Sequence, residues 1–169
     1  MATFGQNARL VASLEAGVTL ADSTTATGIG AVTIPVGSLD DGAVIVIEAA
    51  GVISTTGTPN LTIRVINGTT ALISSGAVAT GSGLASVPFF IRAVGVVRTR
   101  GSAGTILWSL NAMIQEAATA QNTYSAVDTT ADTVDQTAAL TLDIDYTWGT
   151  ASASNTLTTS QRNLWVFQG

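Results

Sequence analysis

Apolar and polar positions follow two different periods along this chain, and the change falls near Gly17. Within residues 6–17, Leu10, Val11 and Leu14 recur at helical spacing, with Asn7 placed to cap the start and Gly17 to end it. The spacing predicts a short helix. Such a segment is too short to hold its shape alone, so it packs on its own domain, reaches a neighbouring subunit as an arm, or stays disordered.

From residue 18 onward the period is two. Residues 43–47 are apolar at every position, as in a strand buried on both faces inside a sandwich. Leu61, Ile63 and Val65 alternate with Thr62 and Arg64, which leaves one wet face. Asn67-Gly68 follows, and a type I′ turn with positive φ at both central residues would turn the chain into a return strand over 70–73. Residues 87–99 form a long strand with Pro88 near its start, where a missing N–H is tolerated. A turn at 101–104 leads to residues 105–115, with Ile106, Trp108, Leu110, Ala112 and Ile114 on one face. Residues 121–136 are polar and acidic and read as a loop with at most one short strand. In 138–148, Ala138, Leu140, Leu142, Ile144, Tyr146 and Trp148 point one way, and Thr141, Asp143, Asp145 and Thr147 point to solvent. Residues 149–155 turn the chain and 156–167 close the fold.

About eight strands separated by turn signals predict an all-β antiparallel sandwich. Long connections favour an eight-stranded jelly roll over an up-and-down barrel. The expected organisation is an N-terminal arm or short helix over 1–17 and a β-sandwich domain over 18–169. No fixed repeat is visible, which argues against a solenoid or propeller.

Composition narrows the chemistry. Of 169 residues, 46% are hydrophobic, as in ordinary domains, but only 10% are charged, against roughly 25% usually. Cys, His and Lys are all absent, so the six cations are all Arg. That excludes thiol nucleophiles, Ser-His-Asp triads, zinc sites with N or S ligands, Schiff-base lysines and P-loops. The net charge of -5 argues against a nucleic-acid partner, since phosphate binding needs a basic face. The longest apolar stretch, 43–53, contains Glu48 and is too short to span a bilayer, and no apolar run follows Arg9 to make a signal peptide.

Carboxylates are the remaining candidates for catalysis or metal binding. Asp143 and Asp145 lie two apart on one strand, about 7 Å between Cα atoms, a spacing open to a glycosidase pair or to simple solvation. Asp128, Asp132 and Asp135 could gather Ca²⁺ or form a solvated acidic loop. Glu48 interrupts one apolar run and calls for an arginine partner; Glu116 ends another. Gly28-Ile-Gly30 and Gly81-Ser-Gly83 lack the strand–helix context of phosphate loops. Asn60 and Asn67 head chance glycosylation sequons. Trp108 and Trp148 are phased with the core, while Trp165 shares a face with Asn163 and Phe167 and suits an interface or a sugar platform. No expected cofactor or metal site emerges. The shortage of charge itself suits a surface that is covered in use, because lone domains keep soluble and guard their sheet edges with charge.

Three phrases, Pro59-Asn-Leu-Thr-Ile-Arg-Val-Ile-Asn-Gly68, Gly101-Ser-Ala-Gly-Thr-Ile-Leu-Trp108 and Asp145-Tyr-Thr-Trp-Gly-Thr-Ala-Ser-Ala-Ser-Asn-Thr-Leu157, resemble small virion structural proteins of tailed bacteriophages. The chain is similar over roughly residues 31–167 to jelly-roll capsid decoration (cement) proteins and fibre-associated jelly rolls. The resemblance implies a non-enzymatic homotrimer on the outer surface of the particle, partnered with the major capsid protein and needing no cofactor. It implies an N-terminal arm that clamps capsid subunits, which would give Phe4, Arg9, Leu10 and Leu14 an interface role. A tail-fibre or baseplate module binding host glycans is the alternative.

Overall fold

The computed structural model describes residues 8–13, 17–117 and 120–168. They form fourteen strands, β1 (Ala8–Ser13), β2 (Val18–Ala21), β3 (Thr27–Gly28), β4 (Val32–Ile34), β5 (Val44–Ser54), β6 (Asn60–Asn67), β7 (Thr70–Ser74), β8 (Val78–Ala79), β9 (Val87–Thr99), β10 (Thr105–Ala117), β11 (Ala120–Val127), β12 (Asp132–Thr133), β13 (Leu140–Trp148) and β14 (Thr156–Phe167). No helix among the described residues is long and apolar enough to cross a membrane.

The strands make two antiparallel sheets. The larger runs β1-β14-β5-β9-β10-β11, with β2 also on β14 and β12 on β10; the smaller runs β3-β13-β6-β7, with β4 also on β13 and β8 on β6. Four strands are interrupted: β1 and β2 share one edge of β14, β3 and β4 one edge of β13, β7 and β8 one edge of β6, and β11 and β12 one edge of β10. Joining these pairs leaves a smaller sheet of four strands and a larger one of six, between which the chain crosses at most connections. That is the jelly-roll arrangement, here widened by the hairpin β10–β11. The all-β antiparallel sandwich expected from the period-two pattern is what forms.

Between the sheets lies one apolar core. Ile45, Ile47, Ile53, Ile91, Ile106, Trp108 and Leu164 enter from the larger sheet, and Leu61, Ile63, Val65, Leu142, Ile144, Tyr146 and Trp148 from the smaller. Gly95 is paired with Trp108, whose ring occupies the space a Cβ there would need. Pro88 pairs with Val52 of β5, and the β9–β10 register ends one residue short of it, at Phe89. Its missing N–H therefore costs the sheet nothing on that side.

Several expectations are corrected. Within residues 6–17, Ala8–Ser13 are strand, not helix: β1 pairs with the edge of β14. A bulge between Leu10 and Ala12 turns Val11 and Ala12 together toward the core, and this two-in-a-row packing mimics helical spacing. The acidic segment 121–136 is not mainly loop, because β11 occupies its first half. Tyr124 anchors that strand in the core, and one buried aromatic on an edge strand gives almost no periodic signal. Within residues 44–47 of β5 only Ile45 and Ile47 face the core; Val44 and Val46 point outward. The turn after β6 is one residue later than expected. Asn67 still pairs with Thr70, Gly68 alone has positive φ, at 60°, and the two-residue loop Gly68-Thr69 follows the type II′ pattern. The Asn67 side chain accepts from Thr141 N at 2.9 Å, so it is tied to β13. Ala138 lies outside β13 and is exposed.

Candidate functional site

The outward face of the larger sheet carries the least expected chemistry. Residues directly opposite on neighbouring strands share a face, so the register can be read as rows across the sheet. One row holds Ala8, Phe167, Val44, Val96 and Leu107. The next holds Leu10, Trp165, Val46, Val94, Ser109 and Val127. A third is polar, with Asn163, Glu48, Arg92, Asn111 and Ser125, and a fourth returns to Ala50, Phe90 and Met113 between Gln161 and Thr123.

Of the apolar members of these rows, only Val46 is buried; Phe90 is 38% exposed, Leu10 46% and Val127 73%. In four rows spanning six strands there is one acid and one base. They are cross-strand partners, with Arg92 Nε 3.5 Å from Glu48 Oε1, so the expected arginine partner of Glu48 is found. Trp165, Phe167, Ala8, Val46, Glu48 and Arg92 line a shallow depression of about 300 Å³. An apolar face of this extent, broken by a single polar row, is rare on a lone soluble domain and points to an interaction site.

The carboxylates that the spacing offered as catalysts are engaged in structure instead. Asp145 is buried and accepts from Arg64 Nε at 2.8 Å and Nη2 at 2.7 Å, a two-pronged pair that also raises the Arg64 pKa. Asp143 is buried too. Its carboxylate occupies the space a Cβ on Gly28 would need, and it accepts from Gly30 N at 3.3 Å. Across the sandwich, Arg162 Nη1 of β14 lies 4.0 Å from Asp143 Oδ1. Burial pushes the Asp143 carboxyl up, opposed by the Gly30 N–H and the Arg162 charge, and burial lowers Arg162. The two aspartates thus do not face solvent, because β3, β4 and the glycines between them cover that edge of β13.

The acidic residues of 121–136 do not converge. Asp128 accepts from Trp108 N at 3.1 Å, and Asp132 sits on β12 opposite Ile106. Burial raises both, and the Asp128 charge raises Asp132 further. Asp135 is turned into its own loop, accepting from Thr137 N at 2.8 Å and Oγ1 at 2.6 Å, and is lowered by those bonds. Among the described residues no group of three His, Cys, Asp or Glu is placed to hold a metal ion. Both glycine pairs serve internal carboxylates: Gly30 N donates to Asp143, and Gly81 N donates to Glu116 at 2.7 Å. Trp108 and Trp148 are core residues, each 1% exposed.

Of the four residues offered for an interface, Arg9 and Leu10 lie on β1, and Phe4 and Leu14 fall outside the described residues. Leu10 belongs to the apolar face. Trp165 and Phe167, whose shared face suited an interface, belong to it too; most other members escaped because their strands read as doubly buried or as half-wet one at a time, and only the register joins them into rows. A surface cavity of about 420 Å³ lies elsewhere, between Ile34–Leu39 and the segments at Arg100 and Gln136–Leu140.

No protein-family model matches the sequence, and no curated protein matches it. Among solved structures the chain is similar to that of the infectious bursal disease virus VP2 subviral particle, at 12% identity and a TM-score of 0.37, covering 96% of this chain and 33% of that one. It is similar also to the Gx strain of the same virus, at 13% identity and TM-score 0.35, with 96% and 32% covered. Lectin I from Ulex europaeus, in complex with the methyl glycoside of α-L-fucose, matches at 10% identity and TM-score 0.32, with 89% and 98% covered. The chain spans about a third of the length of the viral chains. At these scores the likeness bears on neither partner nor activity.

Proposed function

We propose that this chain is a non-enzymatic structural protein of a virion, a decoration (cement) protein on the outer surface of a tailed-phage head that binds across major capsid subunits. The observation that supports this reading is the apolar outward face of the larger sheet, in a chain whose sequence lacks Cys, His and Lys. The best-placed carboxylates are tied to arginines and backbone N–H groups. A surface of Val, Phe, Leu and Met costs free energy while it faces water, at roughly 25 cal/mol per Å², and that cost is removed when an assembly covers it. Several modest contacts per particle would then add through effective concentration, and the acidic chain would complement basic patches on a shell.

The test is stoichiometry. On purified source particles the chain is expected at a copy number comparable to that of the major capsid protein, and full-length chain is expected to co-sediment with capsids stripped of it. A few copies per particle would overturn the cement reading. Loss of binding in Leu10→Asp would give β1 the arm role; deleting residues 1–17 is a poorer test, since it also strips β1 from the edge of β14.

A second reading rests on one feature. Trp165 beside Glu48 and Arg92 in the 300 Å³ depression offers an aromatic platform with polar neighbours, as a glycan site requires. Glycan-array binding by the wild type, lost in Trp165→Ala, would favour a fibre or baseplate module instead.

A further inference from the structure

The apolar face has a symmetry of its own. The path of the larger sheet, β1-β14-β5-β9-β10-β11, divides into two sets of three strands at the line between β5 and β9. Rotate a second copy by a half-turn about an axis lying in the contact plane, parallel to the strands and above that line. Its β9 then lies over β5, its β10 over β14 and its β11 over β1, with every row facing itself.

The residues brought together by this operation are complementary. In the polar row, each Glu48 faces the other copy's Arg92, so two cross-strand pairs become an alternating set of four charges. Near the axis Val44 faces Val96 and Val46 faces Val94. Farther out large residues meet small or fitting ones: Trp165 over Ser109, Phe167 over Leu107, Phe90 over Ala50 and Leu10 over Val127. The charge balance agrees. The chain carries -5 overall, yet Glu48 and Arg92 leave these rows neutral, so copies can meet here without repulsion. Six strands at about 4.8 Å and four rows at about 6.8 Å give roughly 800 Å², close to the roughly 800 Å² per partner of a standard interface. Sheets packed face to face with near-aligned strands are an ordinary solution.

We propose that the outward face of the larger sheet is closed by a second copy of this chain across that two-fold axis, the building block being a dimer. This rests on the assembly reading above and names the partner of the apolar face, in place of the trimer implied by the phage resemblance. An isologous contact buries the same patch on both subunits and leaves the loops and sheet edges free to meet a shell.

The experiment is sedimentation equilibrium on the full chain with charge exchange at the axis. Wild type is expected at twice the 17.0 kDa chain mass. Glu48→Arg sets arginine against Arg92 in both halves and should weaken self-association about 100-fold. The double exchange Glu48→Arg with Arg92→Glu should restore the dimer, while unchanged circular dichroism shows each variant folded. A monomeric or trimeric wild type, or a double exchange as weak as the single, overturns the proposal. Co-sedimentation of the same samples with stripped capsids separates the two ideas. A wild-type monomer that still binds capsids defeats the dimer and keeps the assembly reading; a dimer that binds none keeps the dimer and defeats the cement reading.

Discussion

On the outside of the smaller sheet, Arg64 grips Asp145 with two hydrogen bonds, Thr62 and Thr147 stand on one side of the pair and Ile66 and Asp143 on the other, and Thr141 and Thr33 follow. On the outside of the larger sheet, Arg92 and Glu48 approach only to 3.5 Å; their own row is polar, and the rows on either side hold Val46 and Val94, and Ala50 and Phe90. Both faces follow the same alternation with the same core behind them. One is finished for water: its single ion pair is short and half covered by the chain itself, and its hydroxyls are β-branched groups that suit a strand. The other leaves apolar surface and a loose ion pair in solvent. The difference teaches that hydrophobic alternation specifies only the inward face; what lies outward reports the surroundings in which the protein works.

The largest effect should come from the link between the sheets. Arg162→Ala leaves the Asp143 carboxylate buried without a cation and should cost about 3–5 kcal/mol, measured by urea unfolding. On the smaller sheet, Arg64→Ala strips both hydrogen bonds from buried Asp145, and about 1–3 kcal/mol should be lost. A loss as small as that of an exposed pair would show that this face is not self-finished.

Acidity tests the buried carboxylates. Asp143, Asp128 and Asp132 are all raised above 3.8, chiefly by burial. The folded chain therefore holds protons that the unfolded chain has already released, so stability rises as pH falls from neutrality toward that value. Asp135, lowered by Thr137, works in the opposite sense, and its contribution is lost only on acidification below 3.8. The melting temperature should be higher near about pH 5 than near about pH 7.5, and Asp143→Asn should reduce the rise. A fall over the same interval would contradict the assignment.

The smallest change in fold stability belongs to the exposed pair. Arg92→Ala should cost no more than about 1 kcal/mol, while its effect on self-association is large. Equal losses from Arg64→Ala and Arg92→Ala would erase the contrast between the two faces.

Much of the sandwich was legible in the sequence because a buried face imposes period two. β9 and the inward face of β10 follow directly from the pattern, as do the core positions of Trp108 and Trp148. What escaped was decided by partners distant in sequence. The segment around Leu10 became strand because β14 offered an open edge. β11 carries one fully buried side chain, Tyr124, too little to set a visible period. Asp143 and Asp145 read as solvated because nothing local announces Arg64, Arg162 or the covering Gly28–Gly30 segment. The apolar outward face was half legible: the doubly apolar β5 and the unusual setting of Trp165 were visible, and their union in rows needed the register. The low charge, read first as missing chemistry, pointed to the same covered surface.

Because the chain has no cysteine, one introduced thiol reports a single position, and this makes the central claim directly measurable. Val94→Cys places it in the middle of the larger sheet's outward face, and Thr33→Cys places it at an exposed position of the smaller sheet. Maleimide labelling rates compared between the assembled protein and dilute dissociated chain are expected to fall sharply on assembly for Val94→Cys and to stay unchanged for Thr33→Cys. Equal rates at Val94→Cys in the two states would contradict the account.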